Sequence, residues 1–291
     1  PDIADLIGHY YRLIPAEEII GESPEDLVGA VRSHLELARN RVPGRPALRL
    51  FNPTTAEDGW SSESTVIQVV TDDMPYLVDS VVAELARGGV QVQRIVHPIM
   101  LVERDMSGGL QQLHPGGDVE RPPSGAIVES WMYLEIDSIT DVDRARDCEH
   151  RLLAVLEDVR EVVEDTDRMA AAALSLADEL DNTPPPLPER EVHDGAQLLR
   201  WLADGHLTFL GYRHYEVIDD HGEPALRAVL ASGLGVLRQD SLAARNLTAG
   251  PDSTAQVLKP ELLVLTQAGA PSTVHRPIYP YYVGVKTFDA D

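Results

Sequence analysis

Between residues 65 and 165 the spacing of apolar positions switches repeatedly between period two and period three to four, in the order β-α-β-β-α-β. Residues 65–71 (TVIQVVT) form a β-branched apolar run of strand length. The run stops at Asp72-Asp73, either of which can cap a helix, and Pro75 suits a first helical turn. Leu77, Val78, Val81, Val82 and Leu85 recur at helical spacing, and Gly88-Gly89 ends the pattern. Residues 90–104 alternate imperfectly around His97-Pro98, and a proline inside a strand argues for an edge or a bulge. Residues 105–125 read as a long polar hairpin loop, and 126–136 as a strand with Ile127, Trp131, Tyr133 and Glu135 on one face. Thr140-Asp141 opens a second helix carrying Leu152, Leu153, Val155 and Leu156, and residues 159–163 predict a fourth strand. Such elements bury their apolar sides as an α+β, ferredoxin-like βαββαβ domain, with both helices on one face of an antiparallel sheet.

Four segments follow from this pattern. Residues 1–60 predict a helical extension with helices over 4–13 and 24–40, the second introduced by Ser23-Pro24-Glu25-Asp26, and a short strand over 45–51. The βαββαβ domain takes 61–166. Residues 167–204 predict a helical connector: an alanine-rich helix over 167–180, a stiff proline-rich linker at 183–188, and a helix over 189–203. Residues 205–291 predict a second, mixed α/β and β-rich domain with strands over 207–218, 225–230, 257–266 and 273–288. The chain starts without Met and ends just past a strand-like run, so it reads as a piece of a longer polypeptide whose second domain closes with residues beyond 291.

Charge narrows the partners. Lys and Arg number 24 against 48 Asp and Glu, a net charge of −24, which a nucleic acid or an anionic membrane would repel. No apolar run reaches the ~20 residues a membrane span needs, and no secretion signal opens the chain. The single cysteine, Cys148, allows no intrachain disulfide and fits a cytoplasmic setting, and its place inside the second helix reads as a packed thiol.

Chemistry is concentrated at one turn. The string Asp72-Asp73-Met74-Pro75-Tyr76-Leu77-Val78-Asp79-Ser80 delivers a strand end and a helix start to one point. Free N–H groups there attract a carboxylate, and an aspartate pairs with an α-amino group. The plain alternative is that Asp73 only caps the helix. Gly233-Leu234-Gly235 lacks the third glycine and the following helix of a dinucleotide fingerprint, and the ten histidines share no metal-ligand spacing. No serine sits in a nucleophile elbow, and Glu161 with Glu164-Asp165 reads as a solvated edge. The aromatic stretch 272–286 reads as packing and edge protection, with a ligand or interdomain surface as its alternative. No catalytic, metal or cofactor residue is expected in these 291 positions.

The same turn, followed by His97-Pro98 and Arg104-Asp105, resembles the N-terminal region of the large NAD-specific glutamate dehydrogenases of bacteria. Phe209-Leu210-Gly211-Tyr212-Arg213, residues 233–238, and Val274-His275-Arg276-Pro277 through Gly284-Val285-Lys286 resemble the same family in the same order. The acidic, alanine-rich, arginine-over-lysine composition resembles actinobacterial members. The resemblance implies an ACT-type domain at 61–166, an ACT-like or PAS-like second domain, homotetramers, and a catalytic NAD-binding region far downstream. The parent would convert L-glutamate, NAD and water to 2-oxoglutarate, ammonium and NADH. Where ACT domains hold an amino acid they usually carry Asp-x-Pro-Gly, and here Tyr76 stands in the glycine's place. That departure favours assembly over sensing. For a small amino-acid effector the expected contacts are Asp73, Met74, Pro75 and Tyr76, with Val90, Val92 and Arg94 on the neighbouring strand. The rival expectations are a free-standing amino-acid sensor and an oligomerisation scaffold without ligand.

Overall fold

The computed structural model describes residues 3–220, 223–239, 245–246 and 259–288, which divide into two compact units, Pro1–Glu157 and Asp158–Asp291. The first unit opens with helices α1 (Ile3–Tyr10), α2 (Ala16–Ile19) and α3 (Pro24–Ala38). Strand β1 (Ala47–Phe51) and the short α4 (Thr55–Asp58) lead into β2 (Thr65–Asp72) and α5 (Leu77–Arg87). Strands β3 (Val92–Val96), β4 (Ile99–Arg104), β5 (Leu110–Leu113) and β6 (Ala126–Ile136) precede the 41-residue helix α6 (Val142–Asn182). The sheet is antiparallel, in the order β1-β2-β6-β4-β5, with β3 also paired to β6. The α+β class and the antiparallel sheet follow the sequence pattern.

Two expectations are overturned. Residues 159–163 are helical, not a fourth strand. Leu152, Val155, Leu156, Val159, Val162, Met169, Ala173, Ala177 and Leu180 are all buried at spacings of one to seven residues that fit one helical stripe. No glycine or proline interrupts residues 142–182, so a local cluster of three valines does not break the helix. The strand position beside β2 is filled instead from the N-terminal side by β1, in register from Ala47↔Val70 to Phe51↔Val66. The segment expected as an extension therefore completes the sheet. The loop over 105–125 also contains β5, which pairs with β4.

Both faces of the sheet are covered. Val66 and Val70 of β2 with Trp131 and Tyr133 of β6 pack against Leu6 and Tyr10 of α1 and Ala30, Val31 and Ala38 of α3. On the other face Ile67, Val69, Met132, Leu134 and Ile136 are buried, as are the stripes Leu77, Val81, Leu85 of α5 and Cys148, Leu152, Val155, Leu156 of α6. An ion pair of 2.9 Å between Glu84 and Arg151 joins those two helices. Double coverage explains why β2 reads as a continuous apolar run, with burial uninterrupted from Thr65 to Thr71.

His97-Pro98 separates β3 from β4 without slipping the register. Val96 faces Tyr133 and Ile99 faces Ser130, so the same pairing runs through the gap, and the Pro98 carbonyl still accepts from Trp131 N–H at 3.1 Å. The one irregularity in β3 lies earlier, between Val92 and Arg94. Asp141 caps α6, accepting from the Arg144 N–H at 2.8 Å.

In the second unit, residues 158–182 of α6 and helix α7 (Glu189–Trp201) flank the proline-rich linker. Ala177, Leu180, Val192, Ala196, Leu199 and Leu262 form their common core. Among the described residues seven short strands follow: β7 (Gly211–Tyr212), β8 (Tyr215–Asp220), β9 (Glu223–Ala228), β10 (Leu234–Gly235), β11 (Arg245–Asn246), β12 (Leu263–Gln267) and β13 (Tyr281–Val285). Part of the strand expected over 257–266 lies outside the described residues. Of the three acids read as a solvated edge, Glu164 is exposed, whereas Glu161 and Asp165 are buried. Asp165 is 1% exposed and accepts from Gly235 N–H at 2.9 Å and from Arg238 and Arg168, and Glu161 accepts from Gln239 at 2.8 Å. Along 272–286 the aromatics are turned outward, with Tyr279, Tyr281 and Tyr282 exposed.

Candidate functional site

The turn after β2 has a geometry different from a capped helix. Neither aspartate caps α5, whose preceding residue is Tyr76 at φ 72 and ψ −3, a left-handed conformation uncommon for a side chain of this size. Pro75 consequently lies before the helix. The Tyr76 carbonyl is held from behind by the buried Ser80, whose N–H and Oγ–H both donate to it, at 3.0 and 2.6 Å. That double bond compensates part of the strain of order 1–3 kcal/mol stored at such a position.

Asp72 and Asp73 diverge because adjacent strand residues point to opposite faces. Asp73 donates its N–H to the Val128 carbonyl at 3.0 Å, and its carboxylate lies near His97. Desolvation pushes the Asp73 carboxyl up, and His97 and the Met74 N–H pull it back down. His97, pushed down by burial and raised by Asp73, shares a hydrogen bond through Nε2 with the buried Ser130 Oγ. The turn thus places a carboxylate and an imidazole at the start of a helix, with a buried hydroxyl behind the imidazole. His97 and Ser130 were absent from the expected contacts. Pairing across β6 is what delivers them, and a single sequence does not show which strands pair.

Val90, Val92 and Arg94 are not gathered there within one chain. Arg94 is opposite Glu135, whereas Asp72 is opposite Glu129. Six residues of β6 separate these pairs, about 20 Å at ~3.3 Å per residue. Arg94 is engaged with Glu22 at 2.6 Å and Glu135 at 3.4 Å, and Tyr133 Oη donates to the same Glu135 at 2.9 Å. Val90 is buried and bonded through its N–H to Leu85, and Val92 faces Ile136.

A buried ionic cluster backs the turn on the α3 side. Glu129, fully buried, accepts from Arg41 Nε at 2.8 Å, from Arg104 Nε and Nη2 at 2.6 and 2.9 Å, and from the Trp131 indole at 3.1 Å. Arg41 Nη2 reaches Asp72 at 2.6 Å, and Arg104 Nη1 donates to the carbonyls of Ala38 and Gly108, both at 2.8 Å. Beside it His34, wholly buried, receives the Tyr10 hydroxyl proton at Nδ1 (2.7 Å) and donates from Nε2 to Val69 (3.2 Å). Its pKa falls to about 3 through desolvation, so the ring is neutral. The end of β2, the C-terminus of α3 and strands β4 and β6 are locked together.

The family model described as glutamate dehydrogenase, ACT1 domain, matches residues 6–152, which contain this sheet and both clusters. The chain belongs to this family. The ACT1 match begins within α1, so β1 and α3 lie inside it together with the βαββ elements. Similar proteins extend further. The NAD-specific glutamate dehydrogenase of Halomonas elongata is 33% identical over 290 residues, 98% of this chain, and that of Pseudomonas aeruginosa 33% over 291 residues. The NAD-specific glutamate dehydrogenase of Mycobacterium tuberculosis is 30% identical over 261 residues, 88% of this chain. The chain spans 18% of the length of the first two and 15% of the third. No described helix is long and apolar enough to cross a membrane, and among the described residues no group of three or more His, Cys, Asp or Glu is placed to hold a metal.

Proposed function

We propose that this chain is a non-catalytic regulatory and assembly segment of an NAD-specific glutamate dehydrogenase. The parent reaction is oxidative deamination of L-glutamate to 2-oxoglutarate and ammonium with reduction of NAD, carried out elsewhere in the polypeptide. The observation that carries this reading is the similarity to NAD-specific glutamate dehydrogenases along nearly the whole chain, including the ACT1 match. Within that reading, a small amino-acid effector would meet the Asp73–Tyr76 turn together with His97, which Ser130 holds from behind. Its ammonium group suits the Asp73 carboxylate, and its carboxylate suits the N–H groups at the start of α5. Tyr76 keeps the left-handed backbone of the turn while adding a side chain to the space above it, which supports coupling and assembly as the main role.

The test uses the full-length dehydrogenase that carries this segment. Glutamate-dependent NADH formation is measured with and without each of the twenty amino acids, for the wild type and for Asp73→Asn. A response of the half-saturating glutamate concentration to one amino acid, lost in the variant, is expected of an effector site. Activity of these 291 residues alone would overturn the reading. Sedimentation of the 291-residue chain addresses assembly: concentration-dependent association is expected, and a strict monomer removes that role.

A further inference from the structure

We propose that His9 is a proton-operated link between α1 and the β4–β5 hairpin, closed when its ring is neutral and open when it is protonated. Strand β5 pairs with β4 in a register that sets Val102 opposite Leu113, and beyond it the His114 N–H donates to the Leu101 carbonyl at 2.9 Å. Continued outward, that register sets Ile99 opposite Gly116. Hydrogen-bonded pairs of an antiparallel ladder recur at every second residue, so the Ile99 carbonyl is due the Gly116 N–H. It meets His9 instead. His9 Nε2 lies 2.9 Å from the Ile99 oxygen, and the Gly116 N–H donates to His9 Nδ1 at 3.1 Å. An imidazole carried on α1 is thus spliced into the ladder between two backbone groups that share its register.

These two bonds fix the protonation of the ring. A backbone N–H only donates and a carbonyl only accepts, so Nδ1 is bare and Nε2 carries the hydrogen. A second proton can enter only at Nδ1, where it confronts the Gly116 N–H. The Ile99 bond survives that step and the Gly116 bond does not. The ionisable groups around the ring are Asp5 and Arg12 on α1, His97 between β3 and β4, and, at the turn, Asp118 and His114, the last held by Glu103 at 2.8 Å. Among the described residues none of them hydrogen-bonds to the ring. Imidazole changes charge between about pH 5 and 8, so mild acidification frees the turn at 114–117 from α1. The inference does not depend on the effector reading of the Asp73 turn.

The test is nuclear magnetic resonance of the isotope-labelled 291-residue chain. At about pH 8 the His9 ring is expected as the Nε2–H tautomer, with Nδ1 unprotonated. Acidification to about pH 5 should lower the hydrogen-exchange protection of the Gly116 amide about 5–10-fold, the worth of one hydrogen bond, with the midpoint of the His9 ring titration. In His9→Gln, whose side chain takes up no proton, the protection should no longer follow pH. A proton on Nδ1 at the higher pH, or a Gly116 amide indifferent to the ring titration, overturns the link in the wild type alone. A response that persists in His9→Gln assigns it to another group at the turn and overturns the link as well.

Discussion

Arg41 and Glu129 stand 88 positions apart in the chain, yet Arg41 Nε donates to Glu129 Oε1 at 2.8 Å with both side chains withdrawn from water. Arg104 completes the carboxylate's acceptors from the neighbouring strand. A buried charge is tolerated only when its partners are all present, because each unpaired member retains its full desolvation cost.

Glu129→Gln should therefore leave two guanidinium groups facing a neutral amide. The expected loss is about 3–5 kcal/mol, measured by urea unfolding of the 291-residue chain. A loss below ~1 kcal/mol would mean that the cluster is solvated in solution.

His34 predicts an acid-side sensitivity. Its folded pKa of about 3 lies below the ordinary 6.5, so the fold holds the neutral ring. The stabilisation is complete above pH ~6.5 and is lost as pH falls toward 3, by up to about 5 kcal/mol. His97, also pushed down, contributes with the same sign, whereas Asp73, pushed up, has the opposite sign and favours the fold at low pH. Unfolding free energy followed from pH 7 to 4 should fall less steeply in His34→Gln than in the wild type. Equal slopes would count against a neutral buried imidazole.

Gly29 on α3 leaves room for Trp60. A Cβ at position 29 would lie 2.4 Å from both Cβ and Cγ of Trp60, whereas at Gly8 on α1 it meets nothing within 4 Å. Gly29→Ala should cost about 1–3 kcal/mol by overpacking, and Gly8→Ala should gain up to ~1 kcal/mol from helix propensity. Thermal unfolding of the two variants reads the contrast, and a shared sign would refute it.

At Tyr76 the left-handed backbone discriminates by side-chain shape. Tyr76→Val, branched at Cβ, should destabilise by about 1–2 kcal/mol, and Tyr76→Asn should cost markedly less. Chemical denaturation of both variants checks the order. Reversal would place the strain elsewhere in the turn.

Much of the fold is legible from local pattern. The β2 run, the α5 stripe, the α3 start and the helical reading around Cys148 all rest on neighbours within a few residues, where apolar period and capping chemistry act. The region 159–163 shows where that reading fails, since three valines carry a β preference that the longer helical stripe overrides. The candidate site was half legible. Asp73 to Tyr76 stand together in sequence, but His97 and Ser130 join them only across β6, and Arg94 is drawn instead to Glu22 and Glu135.

By itself the sequence determined the alternation of elements, the class of the fold, the acidic surface and the family resemblance, because each depends on composition or on spacing along the chain. Only the tertiary structure decided that β1 takes the strand position beside β2, that Asp72 and Asp73 serve opposite faces, and that Glu129 collects two arginines. Strand pairing and buried-charge partners join residues tens of positions apart. They are selected by desolvation and register, which act only once the sheet has formed.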